Sequence, residues 1–576
     1  MGNVAGADWG LQVEPPLRLA DVERHAWDDH ADLVVVGLGG AGVAAALEGV
    51  ERGLQVLALD RYDGGGSSAA NGGIYYAGGG TAIQREAGEQ DSAEEMFKYL
   101  RIEVGGVVSD ATLRRFCDES VETVDWMLGH GVKLNSTIWR EKTSYPPLDC
   151  FLYHPDSSLA APYARQARPA ARGHRAFARN GKKAWGLGVG IWAPLRDAAL
   201  ARGLRSHQYA EARQLALDAD GRVVGVKALQ IAPGSAEAER FGRYIAQAAK
   251  WIAALPPSFP LAWLTYAIGR WYLRRAEDIE ARHRRPRWFR ARRGVVLSAG
   301  GFIMNPVMVR QLAPAYAGGL PNGTLGDTGS GHLLGASAGG ALDLMGRISA
   351  WRFINPPKAW AQAMLVNARG ERFVNETLYG ASLGDAIVEK QNGKAWLVLD
   401  ARLRRDAFRQ ARDPRIVPFQ RDVALLNLLF NCRKAPTLDA LAERIGFDPA
   451  TLRRTVEAYN RAARGDADDP FEKRRDELAE IAEPPFYAID ASVDSRLLPM
   501  ATMTLGGLRV EESSGRVLDA AGAIVPGLYA AGRNAVGVCS NIYVSGLSYA
   551  DCIFSGRRAA RHAAGALVSC LKSNFK

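Results

Sequence analysis

The sequence predicts an α/β fold: a Rossmann-like dinucleotide-binding domain, discontinuous along the chain, with an α+β capping domain inserted into it. Three observations predict this. Residues 32–37, Asp-Leu-Val-Val-Val-Gly, form an apolar β-branched run suited to a strand buried on both faces. That run enters Gly37-Leu38-Gly39-Gly40-Ala41-Gly42 and a small-residue helix, and a second short strand at 54–59 ends on Asp60, eighteen residues past Gly42. Far downstream, 504–508 and 525–533 return to apolar runs ending in glycine.

The first stretch carries the chemistry. Gly37 permits the tight turn, Gly39 lets a pyrophosphate approach the backbone, and Gly42 lets helix and strand pack closely. The N–H groups opening the helix, near Gly40 and Ala41, face phosphate oxygens, and Asp60 accepts from ribose hydroxyls. The plainer alternative is a glycine-rich turn in an ordinary α/β unit. With strand, helix and acid all in place, the dinucleotide reading is preferred.

Directly after Asp60 comes Arg61-Tyr62-Asp63-Gly64-Gly65-Gly66-Ser67-Ser68-Ala69-Ala70-Asn71-Gly72-Gly73. So many small residues let backbone come against a flat ring. The loop resembles the second glycine-rich segment of the FAD-dependent fumarate reductase/succinate dehydrogenase superfamily. Gly73-Ile74-Tyr75-Tyr76-Ala77-Gly78-Gly79-Gly80-Thr81 is similar, more particularly, to its 3-ketosteroid dehydrogenases. The resemblance implies FAD as cofactor, with Arg61, Ser67, Ser68, Asn71, Gly72 and Gly73 along it. Covalently flavinylated members carry a histidine near this loop. None occurs between His30 and His130, so the FAD is expected to be non-covalent.

Composition bounds the rest. The chain has 576 residues, 47% hydrophobic and 23% charged, enough for a large core of ordinary globular character. Six scattered cysteines without a C-x-x-C point to a reduced, cytoplasmic setting, with neither a disulfide framework nor a metal site. No basic start precedes an apolar core, so no signal peptide is expected, and residues 1–30 read as a poorly structured arm. Of the net charge of +10, +7 lies in residues 270–293, where ten arginines face Glu277, Asp278 and Glu280. No recognised nucleic-acid module accompanies them, so no nucleic-acid partner is expected.

Along the chain, Ala93–Glu103 is the clearest early helix, and Ala184–Leu195 leads into a helix over 196–202. Glu211–Leu217 and Arg222–Ala228 alternate around a polar turn, a hairpin. Arg293–Phe302 is a buried strand ending in Gly300-Gly301, and it resembles the superfamily's strand that returns to the dinucleotide. Between them lies an insertion, about 232–290, whose residues 241–255 and 261–276 read as two amphipathic pieces around Pro256, Pro257 and Pro260. Three prolines argue against one straight membrane span. Four tryptophans (251, 263, 271 and 288) beside the arginines suit an in-plane membrane anchor through 241–290. A helical hairpin packed on the protein, or an oligomer contact, is the alternative.

The expected division is an FAD-binding part at 28–325, a catalytic or capping domain at 326–495, and a closing FAD-binding part at 496–576. By the same resemblance, Ala212, Ala299, Gly300, Gly301, Gly532, Arg533, Leu547 and Ser548 join the cofactor site. The N–H groups of Leu547 and Ser548, at a helix start, would face the flavin pyrimidine.

The superfamily moves hydride between flavin and a carbon β to a carbonyl, with proton transfer at the α carbon. Its dicarboxylate enzymes use an arginine soon after an R-F-x-N-E motif. Here that motif, Arg372–Glu376, is followed by no arginine up to 401, and no histidine occurs from 333 to 560. A doubly anionic substrate would lack partners. Instead, Tyr543-Val544-Ser545-Gly546 resembles the Tyr-x-Ser-Gly segment of 3-ketosteroid 4-(5α)-dehydrogenases. The resemblance implies Tyr543 as the base, Ser545 and Tyr379 beside it, and the Gly546 N–H polarising the ketone. A free phenol has a pKa near ~10, so the site would have to stabilise the phenolate. Trp351, Phe353, Pro356 and Pro357 offer flat apolar surface. The expectation is a steroid or similar apolar ketone, an external electron acceptor such as a quinone, and peripheral membrane contact. The 1(2)-dehydrogenases, a fumarate-reductase-like enoate reductase and a non-catalytic flavin-binding scaffold are the rivals.

Overall fold

The computed structural model describes residues 9–177, 187–255, 259 and 261–573, the last stretch from 566 by its helical backbone alone. The expected lead-in at 184–186, and Pro256, Pro257 and Pro260, lie outside the described residues.

The apolar run becomes the strand Asp29–Val36, with Val34 and Val35 fully buried, and lies in parallel between Val56–Leu59 and Arg284–Leu297. One sheet is ordered 17–18, 210–217, 223–231, 284–297, 29–36, 56–59, 205–207. The strand Ile524–Ala530 joins it in parallel beside Val295–Leu297, so the end of the chain closes the unit its beginning opened. Glycine lets the C-terminal helix Leu547–Ser573 lie directly on the first helix, Gly40–Glu51. A Cβ at Gly556 would sit 2.2 Å from the Ala41 carbonyl oxygen. Buried Glu48 pins the crossing, pairing with Arg557 at 2.7 Å and Arg561 at 3.0 Å.

The second unit is built on a four-stranded antiparallel sheet, ordered 364–366, 396–399, 486–490, 432–435, with helices such as Ala401–Ala411 and Pro449–Arg464 packed into its core. The strands Ile348–Trp351 and Ala501–Thr504 pair antiparallel at its junction with the first unit. Arg372–Glu376 is structural here. The Arg372 guanidinium pairs with Glu376 at 2.8 Å and with Asp469, and Lys473 adds a second buried cation on Glu376 at 3.0 Å. That knot fixes the turn from which Tyr379 emerges, just before the helix Gly380–Lys390.

Three expectations need correction. Residues 9–30 are not a loose arm: Leu17–Arg18 pairs in parallel with Ala216–Leu217, and Trp9 is buried with its indole N–H on Gln311. The helix expected at 196–202 starts earlier, at Val189, and carries Pro194 inside it. The insertion is indeed two helices, Ala236–Ile252 and Ala262–His283, but the sheet resumes at Arg284, before 290. The arginines from 284 onward therefore lie on a strand and mostly meet acids. Arg284 pairs with Glu211, Arg287 with Asp28, Arg290 with Glu23, and Arg292 with Asp32. Trp288 packs on Trp27 and His25 rather than facing outward with the helices. The basic face is thus narrower than the local charge count implies. No helix among the described residues is long and apolar enough to cross a membrane.

Candidate active site

The glycine loop has the form its sequence predicts. Gly37 takes φ +93°, and a Cβ there would strike the Ser298–Ala299 backbone at 2.7 Å. At Gly42 a Cβ would sit 1.9 Å from the Gly37 carbonyl oxygen, which enforces helix-on-strand contact. At Gly39 the nearest neighbour of a Cβ would be 3.8 Å away. Two glycines are therefore required by the fold, while the third leaves backbone open on the side where a pyrophosphate would lie. Asp60 accepts from the Leu38 N–H and the Tyr62 N–H, each at 2.8 Å, so the acid is locked to the loop. Burial raises its carboxyl pKa.

The second glycine-rich segment folds back onto the first. The Gly40 N–H donates to the Ser68 hydroxyl at 3.0 Å. Ser67 donates to Asp327, whose other oxygen accepts from the Gly301 N–H and from Arg533, both at 3.1 Å. Asn71 accepts from the Gly73 N–H at 2.8 Å, and Tyr145 donates to the Gly72 carbonyl at 2.6 Å. Gly300 takes φ +82°, with Asp327 against its open side. The Ala299 N–H is held by Asn534 at 3.0 Å, and Gly532 presses on Ala41 with the Ser555 hydroxyl on its N–H. Ala212 is buried in the strand beside the Asp60 loop. These residues fit the dinucleotide the motif calls for. The Arg61 side chain, in contrast, is engaged by Glu211 and Glu280. The Leu547 N–H is also spent, on the Val544 carbonyl at 2.9 Å, and Ser548 follows it in the first helical turn.

Tyr543-Val544-Ser545-Gly546 is docked against this cradle. Gly546 takes φ +84°, a Cβ there would meet the Tyr76 nitrogen at 2.7 Å, and its carbonyl accepts from that same N–H. The segment meets an aromatic wall from the second unit: the Tyr543 ring lies 4.6 Å from Trp351 and 6.4 Å from Tyr379, and Phe353 lies 5.8 Å from Trp351. Ser545 is the hub. Its hydroxyl accepts from Tyr153 at 2.9 Å, and its nearness works against the burial that raises the Tyr379 and Tyr543 phenols. The Gly546 N–H points at the Tyr543 oxygen at 3.4 Å rather than away from it. Burial pushes the Tyr543 phenol up to about 12, against the pull of the Gly546 N–H and the Ser545 hydroxyl. Burial also drives Tyr379 and Tyr153 well above the usual range for a phenol.

The nearby cations are engaged. Arg352 gives its guanidinium to the Leu498 and Ser492 carbonyls, both at 2.7 Å, and Arg347 serves Asn541 and Asp385. Lys142 donates to the Asp156 carbonyl, 5.3 Å from the centre of the Tyr379 ring, and burial lowers its pKa to about 8. The slot thus offers hydroxyls and flat rings. Sequence reasoning missed Tyr153, which sits on a two-residue strand with no motif to mark it. It also missed Asp327, although an acid inside Gly326-Asp327-Thr328-Gly329 was a usable signal.

Comparison with known proteins agrees with this geometry. A family model for an FAD binding domain matches residues 32–546. The 3-oxo-5-alpha-steroid 4-dehydrogenase of Comamonas testosteroni is 36% identical over 90% of this chain and 95% of its own. The 3-oxosteroid 1-dehydrogenase of Mycobacterium tuberculosis is 26% identical over 89% and 94%. The crystal structure of 3-ketosteroid-delta4-(5alpha)-dehydrogenase from Rhodococcus jostii RHA1, in complex with 4-androstene-3,17-dione, superposes with a TM-score of 0.78. It covers 96% of this chain and 100% of that one, at 30% identity.

Proposed function

This chain belongs to the FAD-binding-domain family of flavoproteins, and on that premise we propose that it is an FAD-dependent 3-ketosteroid dehydrogenase that introduces the 4(5) double bond. The observation that carries this reading is Tyr543 packed against Trp351 and Tyr379, beside the Ser545 hydroxyl that Tyr153 holds, in a slot whose neighbouring arginines are engaged elsewhere. The similarity to the Comamonas and Rhodococcus 4-dehydrogenases supports it independently.

Gly37, Gly39, Gly42, Asp60, the 67–73 loop and the 299–301 and 532–533 turns would hold FAD without a covalent bond, with its ring toward Tyr543. When bound, FAD supplies the hydride acceptor. Trp351 and Phe353 would lie along one flat face of a polycyclic ketone and keep water from it. Tyr543 takes the proton from the carbon α to the keto group. Before that transfer Ser545 and the Gly546 N–H favour the phenolate form of Tyr543, which becomes a neutral phenol on taking the proton, and Tyr379 lies beside it. The Gly546 N–H is turned to Tyr543 and so acts on the base rather than on the ketone. Electrons then leave to an external carrier of quinone type.

The hairpin supports a membrane-surface contact at its outer part, where Leu261 is 60% and Trp263 71% exposed, beside Leu264, Tyr266 and Trp271. Arg270 and Arg275 lie over Tyr266 and Trp271, as an aromatic belt with a cationic rim requires. A sterol-like substrate partitioning into lipid fits that placement.

The test is turnover of 5α-saturated 3-ketosteroids with a dye acceptor, with the product identified. A 4-ene is expected. A 1-ene as the main product would favour the 1(2)-dehydrogenase, which the similarity to the Mycobacterium enzyme keeps as the second reading. Fast enoate reduction with no steroid turnover would overturn both. Flotation with anionic vesicles, lost in Trp263→Ser/Trp271→Ser, tests the membrane contact.

A further inference from the structure

The two helices of the insertion do more than project outward. Their base rests on the residues that directly follow Asp60. The Arg61 guanidinium makes two bonds to Glu280, at 3.3 and 3.1 Å, and a third contact of 3.1 Å to Glu211. Arg284 bridges the same two acids, and Arg213 adds to Glu211 at 2.6 Å. Beside this network the Tyr62 ring is stacked on Phe241 at 6.3 Å with only 7° between planes, and Tyr209 meets Phe241 edge-on at 5.2 Å. Phe241 is completely buried. Helix and loop are in such close contact that a Cβ at Gly242 would lie 2.4 Å from the Tyr209 hydroxyl. Tyr209 in turn donates to Asp63.

In a glycine-loop fold the acid at the end of the second strand marks the ribose of the adenosine half. Asp60 is that acid, and it is fixed on one side to Leu38 of the glycine loop and on the other to the Tyr62 N–H. Anything that holds Arg61 and Tyr62 therefore holds the ribose-binding carboxylate. A bidentate arginine–carboxylate pair that is largely buried is directional and costly to break from one side.

We propose that the base of the 236–283 hairpin is a clasp on the adenosine end of the FAD site, with Glu280 and Phe241 as positioning residues for Asp60. The inference rests on the flavoprotein reading and assigns the insertion a role in holding cofactor, separate from any contact its exposed end makes. The clasp acts on the adenosine half, because among the described residues Glu280 and Phe241 make no hydrogen bond, ion pair or ring contact to the glycine-rich 67–73 loop or the Tyr543 slot.

The experiment is binding to the full-length apoprotein, followed by flavin fluorescence for FAD and FMN and by calorimetry for ADP. Glu280→Gln is expected to weaken FAD and ADP by about tenfold, or ~1.4 kcal/mol, and to leave FMN affinity near wild type, while the lost charge lowers the apoprotein melting temperature. Phe241→Leu should act in the same sense more weakly, and Trp263→Ser at the exposed end should change neither. Wild-type ADP and FAD affinity in both clasp variants would overturn the proposal, as would an equal loss of FMN, which marks general loosening. A wild-type chain that takes up no FAD at all would overturn the flavoprotein reading and the clasp with it.

Discussion

The two halves of the candidate site are built on different principles. At the dinucleotide end the groups that matter are backbone: Gly37, Gly39 and Gly42 lie within six residues and work by lacking side chains. In the substrate slot the groups are side-chain hydroxyls brought together from residues 153, 379, 543 and 545. One half is written into a single turn of chain, and the other exists only once both units have folded against each other. Damage should therefore separate cleanly, with glycine changes striking cofactor and fold and hydroxyl changes striking turnover in a yellow, folded protein.

The largest effect expected is at Tyr543. Phenylalanine there keeps the ring against Trp351 and removes the proton acceptor, so kcat should fall by roughly 10³–10⁴ with FAD still bound, the upper range for loss of a general base. Single-turnover reduction of bound flavin by a 3-ketosteroid reads this directly. Undiminished reduction would dissolve the distinction between the two halves at its strongest point.

Next come the glycines, which divide among themselves. Gly42→Ala places a methyl 1.9 Å from the Gly37 oxygen and should lower the apoprotein melting temperature and abolish flavin uptake together. Gly39→Ala meets no protein atom closer than 3.8 Å and should leave the apoprotein melting temperature unchanged while weakening FAD by about tenfold or more, since the methyl fills the phosphate's approach. If both variants lose stability equally, Gly39 serves the fold as Gly42 does, and the open backbone has no special role.

Ser545→Ala should cost less than Tyr543→Phe, and its signature is in pH. With Tyr543 held up to about 12, the phenolate fraction grows with each step of pH across the neutral and mildly alkaline range. The base works only when deprotonated, so kcat/KM should climb by about tenfold per pH unit below that value. Removing a hydroxyl that stabilises the phenolate raises the pKa further. The alkaline limb should shift upward in Ser545→Ala, with a loss at fixed pH of about 10–100-fold. An unshifted limb would mean that the hydroxyl does not act through Tyr543.

What the sequence made legible follows the same division. Gly37 to Asp60 could be read because turn, helix start and acid are consecutive and each has one physical job. Tyr543 and Ser545 were legible as one short segment, and the two insertion helices through their apolar spacing. Partners were not legible. Arg290 and Arg292 look like free basic charge until Glu23 and Asp32 are folded beside them, and nothing near Arg61 announces Glu280, which arrives from 219 residues away. Residues 9–30 mix apolar and charged residues without a regular period and carry consecutive prolines, so nothing local shows that Leu17–Arg18 completes a sheet edge.

Tyr153 is the residue that joins the two themes, and its removal is the smallest effect expected. A hydroxyl has one proton to give and accepts two hydrogen bonds. Ser545 accepts from Tyr153 at 2.9 Å, which fixes the hydroxyl from that side and leaves its one proton to turn toward Tyr543. Tyr153→Phe frees that acceptor site without touching Tyr543 or the cradle. Turnover should drop by about threefold to tenfold, the worth of one buried hydrogen bond of ~1 kcal/mol. Flavin content should stay at wild type and the alkaline limb should move upward less than in Ser545→Ala. In the double variant Tyr153→Phe/Ser545→Ala the loss should equal that of Ser545→Ala alone, because Tyr153 reaches the base only through that hydroxyl. Additive losses would show that Tyr153 acts on substrate directly and belongs to the slot in its own right.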